Sequence, residues 1–187
     1  SALRSPLSAA WPTYRADAAR SGAAASEISP QLRQTWDVRL GGKLTPPIAA
    51  GDRVFLADID RYAVYAVDAK SGDRLWSFTA GGRVDTPPTY DRGRLVFGSA
   101  DGYVYCLRAA DGGLVWRVRA GPIGMQVVAF DQFESAWPVH GIVLVEEGKS
   151  MFVAGRSNYL VGGVRFYRLD AATGTLEAEH VIDDRNP

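Results

Sequence analysis

Three tryptophans, Trp36, Trp76 and Trp116, stand 40 residues apart, and the residues around them recur in step. Gly41-Gly42-Lys43-Leu44 follows the first as Gly81-Gly82-Arg83-Val84 follows the second. Pro46-Pro47 is echoed by Pro87-Pro88, one residue out of phase. Val64-Tyr65-Ala66-Val67-Asp68 runs through Gly72 to Trp76, and Val104-Tyr105-Cys106-Leu107-Arg108 runs through Gly112 to Trp116. A last copy, Phe166-Tyr167-Arg168-Leu169-Asp170, runs through Gly174 to Ala178. In all three the Tyr-to-Gly distance is seven residues. A period in this range means stacked supersecondary units, none of which buries its apolar surface alone.

The interior of one unit dictates its elements. Val-Tyr-Ala-Val-Asp alternates with period two and reads as a strand. Ala69-Lys70-Ser71-Gly72 is a turn in which glycine supplies positive φ. Leu75 to Phe78 is the returning strand. Thr86-Pro87-Pro88-Thr89 opens another, its prolines near the start where a missing ladder donor is tolerated. Leu95-Val96-Phe97-Gly98 is the next, and Asp101-Gly102 turns the chain into the following Tyr strand. Four short antiparallel strands in about 40 residues make one propeller blade. The expected fold is all-β, with about four such blades, too few to close a seven- or eight-bladed ring.

The period breaks once. Tyr105 to Tyr167 spans 62 residues, which places an insert near 121–138. Strands are expected to resume over Gly141 to Val145 and Ser150 to Ala154, with a long hairpin over Gly155 to Gly163. Ahead of Trp36, Ala16 to Gln34 is Ala/Ser-rich and reads as coil or short helix. The domain reading is thus a lead-in segment, 1–35, and blade repeats over 36–187. Ser1 to Ala10 lacks the apolar centre of an intact signal peptide.

These residues resemble a known family. Ala66-x-Asp68-x-x-x-Gly72-x-x-x-Trp76 is similar to the tryptophan-docking motif of quinoprotein-like (PQQ-like) β-propeller repeats. Trp11-Pro12-Thr13-Tyr14-Arg15-x-Asp17-x-x-Arg20-Ser21-Gly22 resembles the lead-in before such propellers. The whole pattern is similar to large bacterial repeat proteins of the outer-membrane assembly lipoprotein group. The resemblance implies that the motif tryptophan packs against a neighbouring blade and that the alanine makes room for it. That role falls to Trp76, with Ala66 beneath it and Asp68 and Gly72 in the turn. Trp116 and Gly112 play the same part, although Cys106 replaces the alanine and Arg108 the aspartate. The last copy keeps Asp170 and Gly174 but carries Ala178 in place of tryptophan.

Quinone-dependent dehydrogenases of this family hold pyrroloquinoline quinone with Ca²⁺ at the ring centre, many with a vicinal cysteine pair against the cofactor. This chain has one cysteine, Cys106, and shows no evident cluster of Glu, Asn and Asp for calcium, so no cofactor and no metal site are expected. The expected function is therefore a non-catalytic binding or scaffold module within a larger bacterial protein. The alternative is a pyrroloquinoline-quinone-dependent dehydrogenase domain completed by further blades or by a second chain. The partner would be a protein, peptide or glycan, and two chains could pair through open blade edges. With 21 basic and 21 acidic residues the chain lacks the charge of a nucleic-acid binder. It has no apolar run long enough to span a membrane. A periplasmic or cell-envelope location follows from the resemblance alone.

The insert concentrates polar and aromatic groups. Gln132, Glu134, Trp137 and His140, with Arg156 from the later hairpin, are the candidate binding residues on a loop over the propeller face. Against this stands a plain blade-to-blade connection with a tryptophan anchor. Cys106 is expected as a buried structural thiol, and Asp58, Asp60 and Arg61 as a solvated turn.

Overall fold

The computed structural model describes residues 11–23, 30–159 and 162–184. Ser1 to Ala10 and part of the expected lead-in coil lie outside the described residues, as do Leu160 and Val161 of the long hairpin. Three four-stranded antiparallel sheets follow one another along the chain, each in sequence order. The first comprises β1 (Ile48–Ala50), β2 (Arg53–Asp58), β3 (Ala63–Asp68) and β4 (Arg74–Thr79). The second comprises β5 (Thr89–Asp91), β6 (Arg94–Gly98), β7 (Tyr103–Arg108) and β8 (Leu114–Arg119). A two-stranded hairpin, β9 (Gln126–Ala129) and β10 (Gln132–Ser135), is the fourth sheet. The third blade comprises β11 (Leu144–Glu146), β12 (Lys149–Ala154), β13 (Val164–Asp170) and β14 (Leu176–Ile182).

Alternation along each middle strand sends side chains into two different seams. Phe55, Val64 and Ala66 of the first blade meet Leu95, Phe97, Tyr105 and Leu107 of the second. The intervening residues of the second blade, Val96, Val104 and Cys106, meet Phe152, Ala154, Tyr167 and Leu169 of the third. A sheet covered on both faces needs apolar side chains at nearly every position, and β7 is buried from Val104 through Leu107. The outer face of the first blade is covered by Trp36, Val38 and Leu40, which pack on Leu56, Tyr65 and Val67. The segment holding Trp36 therefore stands where a preceding blade's outer strand would be.

Each seam carries the same lock. The Trp76 indole N–H donates to the Ala109 carbonyl at 3.1 Å, and Trp116 donates to Ala171 at 3.2 Å. Trp36 donates to Ala69 at 3.0 Å. Beneath each ring lies the turn glycine of the following unit: Gly72 under Trp36, Gly112 under Trp76 and Gly174 under Trp116. A Cβ on Gly112 would stand 2.7 Å from the Trp76 ring, and its φ of +74° already favours glycine. The glycine of one motif thus receives the tryptophan of the unit before it, while Ala66 pairs directly with its own Trp76 across the sheet.

The turns are rebuilt by different side chains. Asp68 Oδ1 accepts from the Lys70 and Ser71 amides at 2.8 Å, and Asp170 Oδ1 accepts from Ala172 and Thr173. Where Arg108 replaces the aspartate, Asp111 takes over: its Oδ1 accepts from the Gly113 amide at 3.0 Å and from Arg108 Nε at 2.8 Å. The backbone bonds of the turn are the same in all three, for example Gly72 N to Asp68 O and Gly112 N to Arg108 O.

Two expectations shift. The third blade's first strand starts at Leu144 rather than Gly141, because Val139 and Val143 are drawn into the second seam. Among the described residues the lead-in forms turns, not a helix. Trp11 instead bridges Ala49 on the free edge of β1, and the Tyr90 amide donates to the Pro12 carbonyl. An edge strand is thereby covered.

Trp116→Ala is expected to cost about 3–5 kcal/mol, with Trp76→Ala, whose ring is less buried, toward the low end. Gly112→Ala should destabilise as well, through the ring contact and the positive φ. Denaturant melts read all three, and unchanged midpoints for both tryptophan variants would remove the lock from the account.

Candidate functional site

Antiparallel blades send alternate connections to opposite ends of the stack. The motif turns gather at one end. At the other gather the β2–β3, β4–β5, β6–β7 and β12–β13 connections and the β9–β10 hairpin. Backbone bonds join them: Ala100 N to Arg83 O, Ser135 N to Ala100 O, and Gly155 N to Pro138 O.

The hairpin turns at Phe130-Asp131, both with positive φ (52° and 60°), as a two-residue hairpin turn requires. Val128 pairs with Phe133 and Val127 with Glu134, so the two pairs face opposite ways. Val128 and Phe133 point to water, 72% and 73% exposed. Glu134 points into the stack and is 1% exposed.

Glu134 meets two arginines and a histidine, each from a different segment. Arg83 Nη2 lies 2.7 Å from its Oε1, Arg156 Nη2 donates to Oε2, and His140 Nε2 lies 3.7 Å from Oε2. The other His140 nitrogen, Nδ1, is 2.7 Å from Asp85 Oδ2, and Arg83 Nε lies 3.5 Å from Asp85 Oδ1. The Arg83 guanidinium also sits over the Phe130 ring, 4.9 Å from its centroid. Burial pushes the Asp85 carboxyl up, but the His140 hydrogen bond and the Arg83 charge outweigh it and leave it below its ordinary range.

Three of the five candidate residues, Glu134, His140 and Arg156, are thus brought together. Gln132 is apart from them: its Oε1 accepts from the Tyr62 hydroxyl at 2.6 Å, which reaches back to the first blade. Trp137 is 1% exposed, with its ring against Gly121 and Gly162 in the second seam. Arg83 and Asp85 were not among the candidates because they sit inside the repeat echo of Lys43-Leu44-Thr45. An aspartate at the threonine position was the available signal.

Elsewhere the polar turn is not wholly solvated. Asp58 is fully buried, accepts from the Arg61 amide at 3.3 Å, and faces Gly42 so closely that a Cβ there would meet its Oδ1 at 2.2 Å. Cys106 is buried, and burial pushes its thiol up to about 12. His180 lies on β14 beside Phe166, far from the cluster in the sheet order. Among the described residues no group of three or more His, Cys, Asp and Glu is arranged to hold a metal. Ca²⁺, the ion that accompanies pyrroloquinoline quinone, does not fit these groups. The carboxylates of the cluster already face arginine and imidazole, so a divalent cation would enter among positive charges.

Asp85 supplies a pH test. A carboxyl whose folded pKa is depressed stabilises the fold above its unfolded pKa of about 3.9, and that contribution is lost as pH falls through the folded value. Wild-type and Asp85→Asn melting curves should therefore differ near neutrality, begin to converge below about pH 4, and meet once pH has fallen through the folded pKa. A pH-independent gap would assign the effect to packing. Cys106, in turn, should resist thiol reagents until the protein is unfolded.

Comparison with known proteins places this geometry. The family described as outer membrane protein assembly factor BamB, of PQQ-like repeats, matches residues 32–84 and 63–181, overlapping as a repeat would. The factor of that name from Moranella endobia (strain PCIT) is 32% identical over 80 residues, 43% of this chain and 20% of that protein. The chain thus spans a small part of the curated relative it matches. Among solved structures, a europium-containing methanol dehydrogenase superposes over 94% of this chain and 32% of its own, with a TM-score of 0.74 and 18% identity. BamB from Moraxella catarrhalis superposes over 87% of this chain and 56% of its own, with a TM-score of 0.51 and 19% identity. At those identities the structures speak to the fold alone. With the matched repeats running from 32 to 181, this chain belongs to the BamB-like family of PQQ-like β-propeller repeat proteins.

Proposed function

We propose that this chain is a non-catalytic segment of a larger bacterial cell-envelope propeller, serving as a binding or scaffold module for a protein partner. The observation that carries this reading is how the ionisable groups at the loop end are used. A general base or nucleophile must present a free atom to substrate. Glu134 is buried among Arg83, Arg156 and His140, and Asp85 is held by His140. The thiol is buried in a seam with its pKa raised.

The stack also leaves the far face of the third blade open, apolar side chains interspersed there with Arg168 and Glu179. Leu144, Met151, Val153, Phe166, Ala178 and His180 line a shallow cavity of about 490 Å³ on the far face of the third blade. All seven residues of β14 are exposed. Among the described residues no helix is long and apolar enough to cross a membrane. The relative from Moranella endobia, named as an outer membrane protein assembly factor, supports a protein partner and an envelope location. A second copy of the chain is one way to cover the open face.

Native mass spectrometry with and without pyrroloquinoline quinone and Ca²⁺ tests the reading. The expected spectrum shows species at multiples of 20.2 kDa with no cofactor adduct. An adduct accompanied by alcohol-dependent dye reduction would overturn it in favour of the dehydrogenase alternative.

A further inference from the structure

We infer that Arg83, Arg156 and His140 form an oxyanion-binding cradle that Glu134 fills in cis, so that an external carboxylate or phosphate group can take its place. The inference rests on reading the chain as a binding module and names the chemistry its loop end would recognise.

The cradle and its occupant come from different parts. Arg83 lies in the β4–β5 connection, Arg156 in the β12–β13 connection and His140 just before β11, all attached to the second and third blades. Their side chains are 14%, 20% and 33% exposed. Only the carboxylate of Glu134 comes from the hairpin. Without it, two guanidiniums and an imidazole converge on one space, with Asp85 as the carboxylate on the rim. That is the donor set used for bidentate recognition of carboxylate and phosphate.

Glu134 does not use all the donors it faces. Arg156 Nε is buried without a hydrogen-bond acceptor, Arg83 Nε has only Asp85 Oδ1 at ion-pair distance (3.5 Å), and Glu134 Oε1, though close to Arg83, makes no hydrogen bond. Buried donors left unused are costly. A carboxylate fixed to a strand cannot turn to meet them; a mobile oxyanion, with two to four oxygens and no tether, can.

The strap is lightly held. Among the described residues β9 and β10 pair only with each other, and a lone two-stranded hairpin is marginal by itself. Its outer face places Val128, Phe130 and Phe133 in water, each more than two-thirds exposed. Its other ties are few: Ser135 N to Ala100 O, Gln132 to Tyr62, and the Phe130 ring under the Arg83 guanidinium. Replacing one carboxylate by another leaves the charge of the cradle balanced, so displacement does not strand a buried guanidinium.

The test uses Glu134→Ala and the wild-type chain. Glu134→Ala should melt below wild type, and acetate or inorganic phosphate should restore the melting temperature saturably, where chloride at equal ionic strength does not. In the wild type, the same anions should speed amide hydrogen exchange across 126–135 several-fold and leave β6 and β7 unchanged. Rescue by acetate alone assigns the cradle to a carboxylate of a partner, and rescue by phosphate as well assigns it to oxyanions in general. If Glu134→Ala does not fold, Glu134→Gln, which keeps the side chain's volume, is read in the same way. No saturable rescue beyond chloride, together with anion-independent hairpin exchange, would overturn the cradle and leave a fixed structural ion cluster. That failure is separate from failure of the scaffold reading, which turns on the quinone adduct.

Discussion

The stack depends on a tryptophan laid over a glycine. An indole is large enough to span the gap between neighbouring blades, yet its N–H demands an acceptor when buried. A turn whose glycine lacks a Cβ gives the ring room, and the carbonyl at the head of the same turn accepts the N–H. Shape and hydrogen bond are supplied by one five-residue turn, so a single feature fixes both the distance and the rotation between blades. The third blade departs from it. Opposite Ala178 stands Arg168, whereas blades one and two set Ala66 against Trp76 and Cys106 against Trp116. The large and small side chains have exchanged strands, and a guanidinium paired with Glu177 replaces the indole. The far face of that blade therefore lacks the indole that locks the two earlier seams.

Strand order, the motif turns and the burial of Cys106 were legible because they depend on local period and on residue size. The direction of the lock was not. Counting places Gly72 and Trp76 in one unit, but the contact joins Trp76 to Gly112 of the next, a tertiary relation that spacing within a unit does not encode. The same limit governed the loop end. Glu134, His140 and Arg156 stood out as charged residues in irregular sequence. Arg83 and Asp85, which complete the cluster, lay within regular sequence and looked like ordinary repeat positions. Asp58 was read as solvated from its neighbours Asp60 and Arg61, yet the approach of the Gly42 backbone buries it.

The Glu134 cluster lies where the 40-residue period is interrupted. The added residues form a hairpin that covers Arg83 and brings Glu134 to it, so the cluster exists only because the repeat is broken there. Desolvating two guanidiniums and a carboxylate costs several kcal/mol per ion, and apolar side chains of similar volume would hold the hairpin at least as firmly. Stability alone therefore does not account for the arrangement. Ion pairs differ from apolar contacts in direction: an arginine fork meets a carboxylate in few geometries, whereas two greasy surfaces slide. With Arg83 rooted before the second blade and Arg156 in the third, a seated Glu134 draws the two connections together. With Glu134 seated, the cluster thus joins the second and third blades at the loop end, as Trp116 over Gly174 does at the other.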